Sequence, residues 1–169
     1  MSFRDEPLRR AQAYAAAHGL ALGEELGFGV HGIVFVAENQ GEKRGAAVRS
    51  AVKAHQREVD YARERDVYLR LRDRGVRAVR GCHVPRLLRY DDSVWVLEMT
   101  VVGRPYVLDF AGAHLDQPLD FSDEVMADWF AAKQEQFGQH WGEAQAIMRV
   151  LETYGIFLED VNPNNIALN

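Results

Sequence analysis

Three glycines carry the first chemical suggestion in this chain. Gly27-Phe28-Gly29-Val30-His31-Gly32-Ile33-Val34 fits the pattern G-x-G-x-x-G-x-V. Positions without side chains let backbone N–H groups come close to phosphate oxygens. The residues after the glycines narrow the reading. A Rossmann dinucleotide loop opens a helix directly after its glycines and has an acidic residue about 20 residues further on. Here Ile33-Val34-Phe35-Val36-Ala37 is β-branched and aromatic, so the glycines are expected between two antiparallel strands. Downstream, Ala51-Val52-Lys53 puts a lysine in a strand-like run, in a chain whose 20 Lys and Arg include only Lys43, Lys53 and Lys133 as lysines. Glu64 comes next in a helical segment, with Glu58 as a competing carboxylate, and either could be an ordinary surface acid. Near the end, Asp160, Asn162, Asn164 and Asn165 cluster around Pro163. That composition also forms turns for purely local reasons.

The elements that must position these groups can be read from periodicity. Asp5 to Ala17 reads as a helix packing outside the main sheet, with Asp5 as N-cap, Pro7 in the first turn and Gly19 past its end. Leu20 to Leu26 and Ile33 to Glu38 read as strands flanking the glycines, and Asn39-Gln40-Gly41 as a turn before a third strand, Ala46 to Ala54. Gln56 to Arg74 is helical, with an apolar stripe of Val59, Tyr61 or Ala62, Val67, Leu69 and Leu71, and Gly75 ends it. Two strands come after it, Pro85 to Tyr90 and Val94 to Val102, about a turn at Asp91-Asp92-Ser93. Gly103 to Asp120 reads as irregular. Ser122 to Phe137 and His140 to Tyr154 then read as two helices parted near Gly138, with Gly155 ending the second before Ile156-Phe157-Leu158.

Together these motifs, in this order and on these element types, resemble the protein-kinase-like superfamily, the broad group of serine/threonine, RIO-like and aminoglycoside-phosphotransferase-type kinases. The resemblance runs from Gly27 to Leu168. It implies an α+β fold: a five-stranded antiparallel N-lobe sheet with one helix and an extra N-terminal helix over residues 1–102, then a shortened, mainly helical C-lobe over 103–169. It implies ATP and Mg²⁺ as cofactors. Gly27, Gly29 and Gly32 would cover the phosphates, with Val34 and Ala51 beside the nucleotide. Lys53, in a segment similar to V-A-I-K, would contact the α- and β-phosphates and be held by Glu64. Val94 to Gly103 is similar to the hinge that clasps adenine, which brings Met99 and Val101 to the nucleotide. Leu158 to Leu168 is similar to H-R-D-L-x-x-x-N, so Asp160 would be the catalytic base and Asn165 a Mg²⁺ ligand. Lys53 and Asp160 would then face each other across a cleft roofed at Gly29.

The chain departs from the family pattern in places. Leu158 and Glu159 stand where the family has His and Arg, Asn162 stands where Lys is frequent, and no D-F-G comes between the loop and Asn169. The reading is therefore a truncated, pseudokinase-like ATP-binding domain with weak or no phosphotransferase activity. Two alternatives stand beside it. One is an active kinase that completes its metal site otherwise, through Glu98, Asp109 or a partner chain. The other is a protein-interaction scaffold without nucleotide. Apolar surface on the Ser122 to Tyr154 helices suggests a protein partner or a homo-oligomer.

The totals set outer bounds. At 169 residues, 47% hydrophobic and 27% charged, the chain suits one ordinary globular domain. A net charge of -5 gives no footprint for nucleic acid. Cys82, the single cysteine, cannot form an internal disulfide and reads as a buried structural thiol. Neither a signal peptide nor a membrane span is apparent, and a cytoplasmic location is expected.

Overall fold

The computed structural model describes residues 3–39, 49–103, 106–118 and 120–168. The expected turn at residues 39–41 and the start of the third strand fall largely outside them. In chain order the elements are α1 (Asp5–His18), β1 (Leu20–Gly29), β2 (Gly32–Asn39), β3 (Arg49–His55), α2 (Glu58–Asp73), β4 (Ala78–Val79), β5 (Cys82–His83), β6 (Leu87–Asp91) and β7 (Val96–Thr100). Then come β8 (Val107–Leu108), β9 (Ala113–Leu115), α3 (Asp123–Phe137), a 3₁₀ turn (Gly138–His140), α4 (Trp141–Thr153), β10 (Ile156–Leu158) and β11 (Ile166–Ala167). The fold class is α+β. Two compact units form, Met1–Arg65 with Arg86–Val101, and Asp66–Pro85 with Val102–Asn169.

The first unit is built on a five-stranded sheet in the order β1-β2-β3-β7-β6, antiparallel at every pairing. Strand periodicity sorts its side chains into two layers. Ile33, Phe35, Ala37, Val52, Ala54 and Val96 form one layer, which packs with Ala11, Tyr14 and Ala15 of α1 into a core. The pairings Val34↔Lys53↔Leu97 and Val36↔Ala51↔Met99 form the other. The cap of α1 lies one residue before the expected one. Arg4 holds the N-cap position without a side-chain capping hydrogen bond, its guanidinium pairing instead with Glu25, so Asp5 and Glu6 lie in the first turn, where carboxylates complement the helix dipole. Gly19 closes the helix in the left-handed region at φ 63°.

α2 corrects the expected stripe. Val59 is 46% exposed, while Asp60, Tyr61, Glu64, Val67, Tyr68 and Leu71 form the buried face. Tyr61, Val67 and Leu71 are thus buried as expected, and two carboxylates join them on the buried side. A hydrophobic pattern cannot register a buried acid whose partners come from elsewhere in the chain.

The second unit contains a four-stranded sheet, β11-β8-β5-β4, and the pair β10-β9. Its strands are two or three residues long. Such segments carry no readable periodicity, so the stretch expected to be irregular holds β8 and β9, and the β4–β5 hairpin has no counterpart in the sequence pattern. Ser122 caps α3 by accepting from the Val125 N–H, as its sequence suggests. α4 buries Trp141, Ala144, Ile147 and Leu151, whereas α3 buries only Phe137. Val125 and Phe130 on α3 are 50% and 39% exposed, so apolar surface is indeed present on this helix. Cys82 is fully buried. Among the described residues no helix is long and apolar enough to cross a membrane.

Candidate functional site

The three glycines sit on one hairpin but answer to different constraints. Gly27 pairs with Val34 and Gly29 with Gly32, so Val30 and His31 form a two-residue turn between β1 and β2. Gly32 has φ 141°, and a Cβ built there would meet the Ala54 carbonyl oxygen at 2.1 Å and the His55 Cα at 2.9 Å. No side chain fits where β3 passes that close. Gly27 and Gly29 are different. A Cβ at either meets nothing within 4 Å, and neither has a positive φ. Their own sheet does not require them to be glycine.

Lys53 and Glu64 are brought together. Lys53 Nζ donates to Glu64 Oε1 at 2.7 Å, with the two side chains 7% and 3% exposed. The competing acid, Glu58, begins α2 on its exposed side. The other Glu64 oxygen is also engaged: Oε2 lies 2.8 Å from His55 Nε2. Burial alone would raise the Glu64 carboxyl. The Lys53 ammonium and the hydrogen bonds from His55 and Lys53 outweigh burial and hold it down at about 2. His55 is the member of this group that the sequence reading does not include. The available signal is strand period, since residues 53 and 55 must share a face.

Val34, Ala51 and Met99, three of the residues expected around a nucleotide base, fall on this same layer of the sheet. Val34 is directly paired with Lys53, and Ala51 with Met99. Ala51 and Met99 are each 6% exposed, Val34 is half-buried, and Val101, just beyond β7, is 39% exposed. Glu98 points to the opposite layer. There its Oε2 accepts from Tyr14 Oη and Arg89 Nε, both at 2.8 Å. Burial pushes the Glu98 carboxyl up, but hydrogen bonds from Arg89, Tyr14 and Ser50 prevail and hold it below its ordinary value. Glu98 is thus a structural carboxylate tying β7 to α1 and β6.

In the second unit, Asp160 and Asn165 meet. Asn165 Nδ2 donates to the Asp160 backbone oxygen at 2.7 Å and to its Oδ2 at 3.0 Å. Asn162 organises the same turn. Its Nδ2 donates to Asp160 Oδ1 at 2.9 Å, while its Oδ1 accepts from the N–H groups of Asn164 and Asn165 at 2.9 and 3.2 Å. Glu159 pairs at 2.7 Å with His114 of β9. β11 leaves this loop to pair with β8. One residue past β8, the Asp109 N–H donates to the Asn165 carbonyl at 2.9 Å. Of the two carboxylates considered for a second metal ligand, Asp109 therefore adjoins the loop of Asn165, whereas Glu98 belongs to the other unit.

The donor set suits a hard cation in part. Among the described residues no group of three or more His, Cys, Asp or Glu side chains could hold a metal. Magnesium, however, commonly takes only one or two protein oxygens and completes its shell with water and phosphate. Asp160 and the amide oxygen of Asn165 could supply those oxygens, while Asp109 meets the loop through its backbone N–H and its Oδ1 accepts from the Ala111 N–H at 3.1 Å. Asp109 precedes the loop in the chain, and only strand pairing makes it a neighbour. No family model matches this chain, and no curated protein matches it.

Proposed function

We propose that this chain is a kinase-like ATP-binding domain. The observation that carries the proposal is the buried Lys53–Glu64 ion pair on the same sheet layer as Val34, Ala51 and Met99. A buried lysine on a central strand is costly unless paired, and pairing it with an acid from the helix after it fixes an ammonium where phosphate oxygens would be met. The glycines add support. Glycine inside a strand costs about 0.5–1 kcal/mol relative to alanine. Gly27 and Gly29 bear that cost without any steric need in their own sheet, which suits close approach of a ligand.

In this reading Lys53 contacts the α- and β-phosphates, and Val34, Ala51, Met99 and Val101 bound the base. Mg²⁺ would screen the phosphate charge. Phosphotransfer is weak because Asn162 supplies no cation to the γ-phosphate and both Asp160 oxygens accept amide hydrogen bonds. Calorimetry with Mg-ATP tests the proposal. Binding in the micromolar-to-millimolar range that Lys53→Met weakens at least tenfold is expected, and no heat at millimolar Mg-ATP refutes it.

One observation favours a second reading, an active phosphotransferase. Asp109, held against Asn165 through β8 and β11, would be the second metal carboxylate, delivered from ahead of the catalytic loop. Its test is Mn²⁺ binding with ATP, read by electron paramagnetic resonance. Asp109→Asn and Asn165→Ala should each release bound Mn²⁺, and unchanged binding in Asp109→Asn removes this reading.

A further inference from the structure

Glu64 has two oxygens and two partners on the same strand. Lys53 and His55, two residues apart on β3, point to one face and take Oε1 and Oε2 respectively. The imidazole is fully buried and fixed from several sides. Its Nδ1 lies 3.2 Å from the Trp95 carbonyl oxygen, which also accepts from the His55 backbone N–H at 3.0 Å. It meets the Tyr61 ring of α2 edge-on, at 5.6 Å between centroids. Trp95 itself has a left-handed φ of 53°, a strained state for a large residue. Arg10 of α1 stacks on that indole at 3.9 Å and donates to the His55 carbonyl at 3.0 Å. Each contact bears on where Nε2 sits.

We propose that His55 is a positioning residue for the lysine: it holds the second oxygen of Glu64, so that the first is presented to Lys53 and the ammonium is fixed on the sheet. The consequence is a preassembled lysine site. A carboxylate held by one partner can rotate about its side-chain torsions, whereas one held at both oxygens by a rigid strand cannot without losing two hydrogen bonds. α1, through Arg10 and Trp95, becomes part of the same support. This inference deepens the nucleotide-binding reading and rests on it for its function, though not for its geometry.

Two isosteric variants separate the roles of the two ring nitrogens. His55→Gln reaches as far as Nε2 and can still donate to Glu64. His55→Asn reaches only as far as Nδ1, keeping the Trp95 side and losing Glu64. The chain has only three lysines, Lys43, Lys53 and Lys133, so ε-¹³C-lysine labelling gives three methylene signals, and Lys53→Arg assigns the relevant one. In the full chain without nucleotide, the Lys53 signal of His55→Asn should move to the position it has in Glu64→Gln, while His55→Gln should stay at the wild-type position. Mg-ATP should bind about tenfold more weakly to His55→Asn than to His55→Gln. Identical Lys53 signals in the two variants overturn the inference. So does loss of folding in both variants while Glu64→Gln remains folded, because His55 would then serve the core and not the carboxylate. If the lysine signals behave as expected but wild-type protein binds no Mg-ATP, the nucleotide reading fails and the positioning stands.

Discussion

Replacing Glu64 with Gln tests the central ion pair most directly. The change keeps the shape and removes the charge between Lys53 and His55, leaving a 5%-exposed lysine facing an amide. Two routes give the magnitude. Removing one partner of a buried pair costs about 3–5 kcal/mol. Independently, a carboxyl titrating at about 2 instead of 4.5 corresponds to about 3 kcal/mol of stability at neutral pH. The routes agree near 3 kcal/mol. With a urea m-value of about 1–3 kcal/mol/M, the midpoint should fall by about 1–3 M. Trp95, read with Trp129 and Trp141 changed to Phe, reports on the first unit. The pH dependence has a definite sign. A carboxyl whose folded-state pKa is lowered stabilises above its unfolded value, and that stabilisation fades as pH falls from about 4.5 towards 2. Wild type should lose stability over that window, and Glu64→Gln should lose about 3 kcal/mol less of it. Equal midpoints at neutral pH with parallel acid profiles would refute the reasoning. Glu58→Gln, on the exposed side of α2, is the control and should leave the midpoint in place.

Four further outcomes are expected. Gly32→Ala should destabilise by about 2–4 kcal/mol in urea titration, from overpacking against Ala54 and a positive φ. Gly27→Ala and Gly29→Ala should each stabilise by about 0.5–1 kcal/mol in urea titration while weakening Mg-ATP binding in calorimetry. Asn162→Ala should cost about 1–2 kcal/mol in urea titration and speed amide exchange at Asn164 and Asn165, since it uncaps both N–H groups. Gly155→Ala should lower the thermal midpoint by several degrees, because φ there is 72° and a Cβ would crowd the paired side chains of Arg70 and Asp116.

The sheet of the first unit is legible in the sequence because its strands are five or more residues long and strongly patterned. β2, expected over Ile33 to Glu38, runs Gly32–Asn39. The Lys53–Glu64 pairing is legible because motif order and element type both point to it. What the sequence hides depends on contacts between distant residues. Glu98, offered by the sequence as a carboxylate that could complete a metal site, is instead enclosed by Tyr14 and Arg89. His55 looks like the end of a strand until Glu64 arrives from the helix. Asp109 lies in a stretch without periodicity, and its nearness to Asn165 exists only through the pairing of β8 with β11, each two residues long.

The hairpin implies an unequal division of information within one motif. Gly32 is demanded by the neighbouring strand whatever the protein does, so a descendant that had abandoned its ligand would still have to keep it. Gly27 and Gly29 meet no such demand from the strands, and on the nucleotide-binding reading they would drift once that ligand was gone. In any set of related chains, the first two glycines are therefore a record of use, and the third is a record of architecture.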